Sequence, residues 1–201
     1  MMLWWQKNLN DVYSWSEFTT WLTTSDKSSR KFLFHFIKDK PEIIKSVLEI
    51  GPGVFFDYDV FFSKFPQIDY YSVDITPQVV NFGINKGVKS SLGSIENILY
   101  DNYKFDLVYC RHVFEHIPYY TEALKQMIRV SDKYVICIFF LLDTDSEFDT
   151  ISVEGKTGLH HNIYSKKKIS NLLDSLNFKY EWYKTINDHI LIIDKHYDIT
   201  Y

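Results

Sequence analysis

The chain has 201 residues, of which 18% are aromatic, and a formal net charge of −4 at pH 7. A chain of this length is typical of one domain, and its many Phe and Tyr residues predict an aromatic-rich core. The mild acidity argues against a protein that coats nucleic acid, because that function needs a basic surface.

Cysteine content and hydropathy indicate the compartment. The two cysteines, Cys110 and Cys137, each lie inside an apolar run, which is typical of unpaired, buried thiols in a reducing environment. The first residues lack the apolar run and cleavage site of a secretory signal. The longest apolar stretch, residues 134–142, is too short to cross a bilayer. We therefore expect a soluble, cytoplasmic protein.

Residues 1–45 precede the first predicted strand and are expected to form a helical cap. Two amphipathic helices are predicted there from apolar residues at three- and four-residue spacing. The first carries Trp15, Phe18, Trp21 and Leu22, and the second carries Phe32, Leu33, Phe36 and Ile37. These side chains could pack on the face of a sheet.

The stretch from Ser46 to Gly53 predicts a buried strand that ends in a tight turn. Its apolar residues are followed at once by Gly51, Pro52 and Gly53, and glycines let the backbone pass close to a ligand. Asp74 closes a second strand-like run, residues 70–73. A glycine turn after one strand and a carboxylate at the end of the next is typical of a nucleoside site, in which the carboxylate accepts the ribose hydroxyls.

The remaining elements alternate between helix and strand. Helices are predicted over residues 54–65, after Thr76, through Tyr120 to Ile128, and after Ser165. Strands are predicted over residues 88–92, 105–110 and 133–142, and residues 143–157 are predicted to be a loop. A hairpin is predicted over residues 178–186 and 189–194. This order predicts a doubly wound α/β fold with a mostly parallel seven-stranded sheet, in which one strand of the C-terminal hairpin is antiparallel.

Four motifs in this order resemble those of the class I S-adenosylmethionine-dependent methyltransferases. They are Val47 to Gly53, Ser72 to Asp74, Gly93 to Ile95, and Phe105 to Ile117. The last is similar to the motif of the subgroup that acts largely on small molecules. The resemblance covers residues 46–195 and implies one domain with a Rossmann-like core over 46–201, capped by 1–45. In this family such N-terminal helices often cover the cofactor and substrate cleft, which is the alternative to their packing on the sheet. It also implies S-adenosylmethionine as the cofactor.

The resemblance assigns roles to residues at the carboxyl ends of the strands. Glu49 orients the ammonium of the cofactor, the turn at Gly51, Pro52 and Gly53 runs beside its methionine part, and Asp74 accepts the ribose hydroxyls. Ile75, Ser94 and Ile95 border the adenine, and Ser94 stands where the family usually has an acidic residue. The backbone of Cys110, Arg111 and His112 holds the methionine end.

Three histidines are candidate catalytic residues. Methyl transfer is an in-line displacement, so a base is needed only to remove a hydroxyl or ammonium proton from the acceptor. The adjacent pair His160 and His161 is our hypothesis for that base, with His116 as a further candidate. Equally, the pair could be polar surface, and His116 could be a packed structural histidine. The acceptor pocket is predicted to be walled by Phe114, Tyr119, Tyr120 and His160.

Several alternatives remain open. The spacing of His112, Glu115 and His116 matches a zinc-peptidase motif, but Pro118 prevents the long helix which that motif requires, so no metal is predicted. Because Ser94 and the bulky Phe55 depart from the family pattern, the chain could instead be a non-catalytic cofactor-binding or scaffold protein. RNA or protein methylation would require a basic stripe formed by Lys31, Lys38 and Lys166 to Lys168. A dehydrogenase is disfavoured, because Phe56 stands where the third glycine of its motif would be. The sequence leaves the oligomeric state open.

Overall fold

The computed structural model describes residues 28–60, 62–155 and 158–196, and these form a seven-stranded sheet flanked by helices. The strand order is β3-β2-β1-β4-β5-β9-β8. Neighbouring strands from β3 to β5 are parallel, whereas β9 runs antiparallel to both β5 and β8. The prediction of a doubly wound, mostly parallel sheet with one antiparallel strand is confirmed. Predictions that fall on residues 1–27, including the first helix of the cap, lie outside the described residues.

The strands and helices have the following bounds. The strands are β1 (Ser46–Ile50), β2 (Asp69–Asp74), β3 (Lys89–Leu92), β4 (Phe105–Arg111), β5 (Ser131–Phe139), β6 (Leu142–Asp143), β7 (Tyr164–Ser165), β8 (Lys179–Lys184) and β9 (His189–Asp194). The α-helices are α1 (Ser28–Lys38), α2 (Phe56–Val60), α3 (Pro77–Asn85), α4 (Tyr120–Val130) and α5 (Lys166–Ser175). Short 3-10 helices cover Phe62–Lys64 and Phe114–His116.

The sheet separates two hydrophobic layers. Alternate residues of each strand point to opposite faces, so Val47 and Leu48 of β1 belong to different layers. One layer contains the apolar faces of α4 and α5. The other contains Leu33 and Ile37 of α1 together with Phe55, Phe62 and Val79. Burial on both faces explains why the central strands read as continuous apolar runs.

Two elements are shorter than the sequence predicted. The helix predicted over 54–65 is replaced by the short α2 and a 3-10 turn, because Phe55 has a left-handed φ of 60° and a helix can begin only after it. Strand β5 ends at Phe139 rather than at Leu142. The side chain of Glu115 accepts hydrogen bonds from the backbone N–H groups of Phe140 and Leu141, so these groups leave the ladder.

The segment predicted as a loop, residues 143–157, contains regular pairing with later residues. Strands β6 and β7 form a small parallel ladder, and isolated bridges join Thr150 to Ile163 and Val153 to His160. These partners lie beyond the segment itself, so the local sequence could not reveal the pairing. None of the helices in the described part of the chain has the length and hydropathy needed to cross a bilayer.

Phe55 rests against Gly83 of α3, and this contact generates a stability prediction. A Cβ atom on Gly83 would lie 2.3 Å from Cζ of the fully buried Phe55 ring. We expect Gly83→Ala to lower the free energy of unfolding by about 1–3 kcal/mol, because the ring must move within a packed core. The measurement is urea denaturation of the full chain.

The control for this prediction is Gly155→Ala, since no atom lies within 4 Å of a Cβ built at that position. This variant should change the free energy of unfolding by less than about 0.5 kcal/mol. Alanine is favoured over glycine inside a helix by about 0.5–1 kcal/mol. A Gly83→Ala protein that is more stable than the wild type by this amount would therefore show that the ring yields without cost.

Candidate functional site

A cavity of about 180 Å³ lies at the carboxyl ends of β1, β2, β3 and β4. Its wall includes the turn after β1, the residues after β2 and β3, and the residues after β4. The start of α1 and Asp57 of α2 complete it. In open parallel sheets ligands bind at this edge, where the strand order reverses between β1 and β4.

The turn after β1 brings bare backbone to the cavity. Gly51 and Gly53 have left-handed φ values of 70° and 57°, which glycine adopts without steric cost. The N–H of Gly51 donates to the carbonyl of Val73 at 2.9 Å, which ties the turn to the end of β2. A Cβ on Gly51 would lie 2.6 Å from Cγ2 of Val113, so this position also requires glycine for space.

Asp74 lies beside this turn rather than in solvent. It is 9% exposed, lines the cavity, and accepts a hydrogen bond from the N–H of Thr76 at 2.8 Å. Burial raises the pKa of Asp74 to about 6, although hydrogen bonds from the backbone of Thr76 and Gly53 oppose this rise. The carboxylate predicted for the ribose and the glycine turn therefore converge on one cavity.

The residues after β2 and β3 form the wall predicted for adenine. Ile75, Ser94 and Ile95 all line the cavity, as the sequence suggested. Glu96, which the sequence analysis did not select, also lines it, and its N–H donates to the hydroxyl of Ser94 at 3.2 Å. A carboxylate is thus present in the wall two residues after the position at which the family usually places one.

Glu49 lies at the other end of the cavity in a buried polar cluster. The hydroxyl of Tyr70 donates to its carboxylate, and Tyr109 contributes a second hydroxyl. Burial, reinforced by the charge of Asp57, raises the pKa of Glu49 to about 8. The carboxyl is therefore largely protonated at neutral pH, and a cation in the cavity would favour its ionised form.

Two arginines complete this cluster. The sequence predicted a role for Arg111 through its backbone alone, and it did not indicate Arg30. Nε of Arg30 lies 2.5 Å from Oδ1 of Asp57, and both side chains are buried. Nε of Arg111 donates to the hydroxyl of Ser29 at 3.3 Å. Both arginines line the cavity. This end of the cavity therefore combines carboxyl groups, which attract an ammonium, with guanidinium groups, which attract a carboxylate. An amino acid carries both of these charges.

The three residues predicted after β4 divide between wall and core. Arg111 and His112 line the cavity. Cys110 does not, because β4 continues to Arg111 and the thiol packs in the core beside Cys137. Both cysteines are free and fully buried. His112 has a φ of 57°, and its Nε2 lies 3.0 Å from Oδ1 of Asp188.

The three predicted catalytic histidines adjoin one another, but only His116 lines the cavity. Nδ1 of His116 donates to the carbonyl of His160 at 2.8 Å, and the rings of His116 and His161 lie 5.6 Å apart. Burial lowers the pKa of His116 to about 4. His160 and His161 stand behind His116 relative to the cavity, and their role as a base stays a prediction.

The wall predicted for the acceptor differs from the observed one. Phe114 and Tyr120 are buried in the core, and Tyr119 is 71% exposed. The cavity instead meets Ile117 and Phe140 at this end. Phe114 lies in a 3-10 turn, and its ring packs inward against Phe139. Sequence spacing could not predict the direction of that ring.

Glu115 acts as a structural support. Its Oε1 accepts the N–H groups of Phe140 and Leu141 at 2.7 and 3.2 Å, and burial raises its pKa to about 8. No group of three His, Cys, Asp or Glu side chains suited to a metal ion occurs within residues 28–60, 62–155 and 158–196. The zinc-peptidase reading of His112, Glu115 and His116 thus has no geometric support.

Comparisons with known proteins show the family and the fold. A model of the family described as a methyltransferase domain matches residues 20–181. The fold resembles a structure described as a SAM dependent methyltransferase from Aquifex aeolicus, with 18% identity and a TM-score of 0.56 over 90% of this chain and 97% of that one. No curated protein matches the sequence.

Two further similar structures show how widely the fold is used. The CurJ carbon methyltransferase has a TM-score of 0.70 at 11% identity, over 92% of this chain and 60% of that chain. The cyclase SpnF has a TM-score of 0.58 at 13% identity, over 76% and 58%. At such identities the likeness concerns the fold alone, and the reaction must be argued from the site.

The raised pKa of Glu49 predicts a pH dependence of stability. Its folded pKa of about 8 exceeds the ordinary value of 4.5, so the folded state retains a proton that the unfolded state loses. This contribution to stability is complete below about pH 4.5 and is lost as the pH rises through 8. Between pH 5 and 8, the free energy of unfolding of Glu49→Gln should fall by about 1–4 kcal/mol less than that of the wild type. Urea denaturation across this range measures it.

Glu42→Gln is the matched control, because Glu42 is exposed. Its pH dependence should follow that of the wild type. Glu115 contributes a loss of the same sign in all three proteins, so only the difference between Glu49→Gln and the control is informative. Parallel curves for the two variants would contradict the assignment of a neutral, buried Glu49.

Proposed function

Since this chain belongs to the methyltransferase-domain family and is an enzyme that uses S-adenosylmethionine, we propose that it methylates oxygen or nitrogen of a small molecule. The observation that carries the proposal is the meeting of Asp74 and the Gly51 to Gly53 turn at one cavity. A carboxylate beside exposed backbone is suited to the two hydroxyls of a ribose.

The residues present fit this cofactor along the whole cavity. Asp74 would accept the ribose hydroxyls, Ile75 and Ile95 would contact the adenine, and Ser94 with Glu96 would offer acceptors for its amino group. At the other end, Glu49 would attract the ammonium and the two arginines the carboxylate of the methionine part. When bound, the cofactor supplies an electrophilic methyl group.

The bulky Phe55 does not narrow this cavity, which weakens the case for a scaffold protein that cannot bind the cofactor. Its ring is fully buried against Gly83 and Phe82 and does not line the cavity wall. The other departure from the family pattern, Ser94, has Glu96 beside it. Both features that motivated the scaffold alternative therefore leave room for the cofactor.

The distribution of lysines favours a small acceptor over RNA. Lys31 and Lys38 belong to α1, whereas Lys166 to Lys168 belong to α5, and the two helices pack on opposite faces of the sheet. These lysines therefore do not form one stripe. In addition, Lys168 pairs with Asp149, and Lys167 lies 3.6 Å from Glu147. A continuous basic surface is what an RNA backbone would require.

The first test is calorimetric binding of S-adenosylhomocysteine to the Asp74→Asn variant. The substitution keeps the shape but removes the charge that accepts the ribose hydroxyls. Hydrogen bonds to charged groups contribute about 1.5–3 kcal/mol, so the dissociation constant should rise about 10- to 100-fold. Asp69→Asn is the matched control, because Asp69 lies at the opposite, exposed end of the same strand.

The control should bind within about twofold of the wild type, because Asp69 lies far from the cavity edge. Equal affinity of Asp74→Asn and the wild type for S-adenosylhomocysteine would show that Asp74 does not hold the ribose hydroxyls. No detectable binding by the wild-type chain at millimolar ligand would favour the scaffold alternative.

The second test identifies the class of acceptor. The enzyme is incubated with methyl-labelled S-adenosylmethionine and a cell extract separated into small molecules, RNA and protein. We expect label in the small-molecule fraction, because the apolar side chains of Ile117 and Phe140 line the cavity at the end predicted for the acceptor. Label in RNA or protein alone would contradict the proposal, as would a product in which only carbon is methylated.

A further inference from the structure

His112 and Asp188 form a pair at the cavity wall that the family motifs do not explain. His112 follows β4, and Asp188 lies in the turn between β8 and β9. Nε2 of His112 and Oδ1 of Asp188 are 3.0 Å apart. His112 lines the cavity and Asp188 does not, so the ring of His112 lies between Asp188 and the cavity.

The turn holds Asp188 in a fixed position. The N–H of Asp188 donates to Oγ1 of Thr185 at 3.1 Å, and the N–H of Thr185 donates to the carbonyl of Asp188 at 2.8 Å. Asp188 is 2% exposed. Burial raises its pKa, but the hydrogen bond and charge of His112, a hydrogen bond from Ser29 and the charge of Arg111 together outweigh this effect. The pKa therefore lies below its ordinary value and the carboxyl stays ionised.

An ionised carboxylate determines which ring nitrogen of His112 carries the proton. A carboxylate can only accept, so Nε2 bears the hydrogen and Nδ1 keeps its lone pair. The ring is 21% exposed and lies 5.0 Å from the ring of Phe140, which also lines the cavity. The lone pair is therefore the proton-accepting group that His112 can offer to a ligand in the cavity.

We propose that His112, oriented by Asp188, is the base that accepts the proton of a hydroxyl acceptor, an inference that rests on the proposed function. As the acceptor oxygen forms its bond to the methyl carbon, the carbon–sulfur bond breaks and its electron pair remains on sulfur. The hydroxyl proton moves to Nδ1 of His112. The resulting imidazolium is then paired with the carboxylate of Asp188.

The charges around His112 suit a base more than an acid. Arg111, next in the chain, and Arg30 of α1 disfavour the protonated ring, Asp188 favours it, and the neighbouring His116 opposes it weakly. Burial is the largest influence and lowers the pKa of His112, so the ring is neutral at pH 7. His116 uses its Nδ1 to donate to a carbonyl, which commits that nitrogen to a structural bond.

The first arm of the test needs no acceptor. In the full chain with ¹⁵N-labelled histidine, NMR titration should show His112 as the Nε2–H tautomer, assigned by its loss in His112→Asn. In Asp188→Asn the pKa of His112 should fall by about 1 unit, and the other tautomer should appear. Asp194→Asn, which removes a carboxylate next to His196, should leave His112 unchanged. An Nδ1–H tautomer in the wild type would overturn the proposal.

The second arm measures transfer from labelled S-adenosylmethionine to a fixed panel of phenols and aliphatic alcohols. The substitution His112→Asn is used because asparagine tolerates the left-handed φ at this position. Its S-adenosylhomocysteine affinity should stay within about threefold, while transfer falls about 100-fold or more. In Asp188→Asn the midpoint of the pH–rate profile should move to lower pH, which a purely structural role would not cause.

These outcomes separate this proposal from the previous one. Loss of S-adenosylhomocysteine binding by the wild-type chain would reject the proposed function itself. Binding of S-adenosylhomocysteine without methyl transfer to any hydroxyl compound would contradict the proposal that the acceptor group is a hydroxyl. If transfer persists in His112→Asn but disappears when His160 and His161 are both replaced, the proposal for His112 is wrong and the base is one of that pair.

Discussion

The parallel pairing of β1 with β2 is the constraint on which the site depends. Their register places Ile50 opposite Val73, so the next residues, Gly51 and Asp74, end their strands side by side. The hydrogen bond from the N–H of Gly51 to the carbonyl of Val73 then fixes the turn against the second strand. A slip of one residue would turn Asp74 to the opposite face of the sheet and separate it from the turn.

The end of the cavity that is proposed to hold the methionine part is organised by compensation among buried charges. The charge of Asp57 raises the pKa of Glu49, and the charge of Arg30, which pairs with Asp57, lowers it. Burying an ionised group without a partner is costly, so such a cluster is retained where a ligand uses it. Four separate segments, namely the start of α1, the end of β1, helix α2 and the end of β4, supply its members.

The antiparallel hairpin contributes to the active-site edge as well as to the sheet. Strand β9 inserts between β5 and β8, and its turn carries Asp188 to the end of β4. The same turn brings Asp188 near Ser29, which Arg111 also contacts. The hairpin thus links the N-terminal helix, the fourth strand and the cavity through one carboxylate.

The sequence predicted the elements whose signals are local. Apolar runs, glycine turns and the Thr76-Pro77 start located the central strands and α3, because the information lies within a few neighbouring residues. Asp74 was selected for the same reason. The left-handed φ of Phe55 and the shortened end of β5 were missed, since each depends on packing against a distant residue.

By itself the sequence determined the sheet and the family, and it predicted that Asp74 and the glycine turn would meet, because strand periodicity and a glycine turn are properties of contiguous chain. Only the tertiary structure decided the rest. It brought Arg30 to Asp57 and Asp188 to His112, pairs separated by 27 and 76 residues, and it kept His160 and His161 off the cavity wall. Such contacts arise from how layers pack across the sheet, and spacing along the chain carries no record of them.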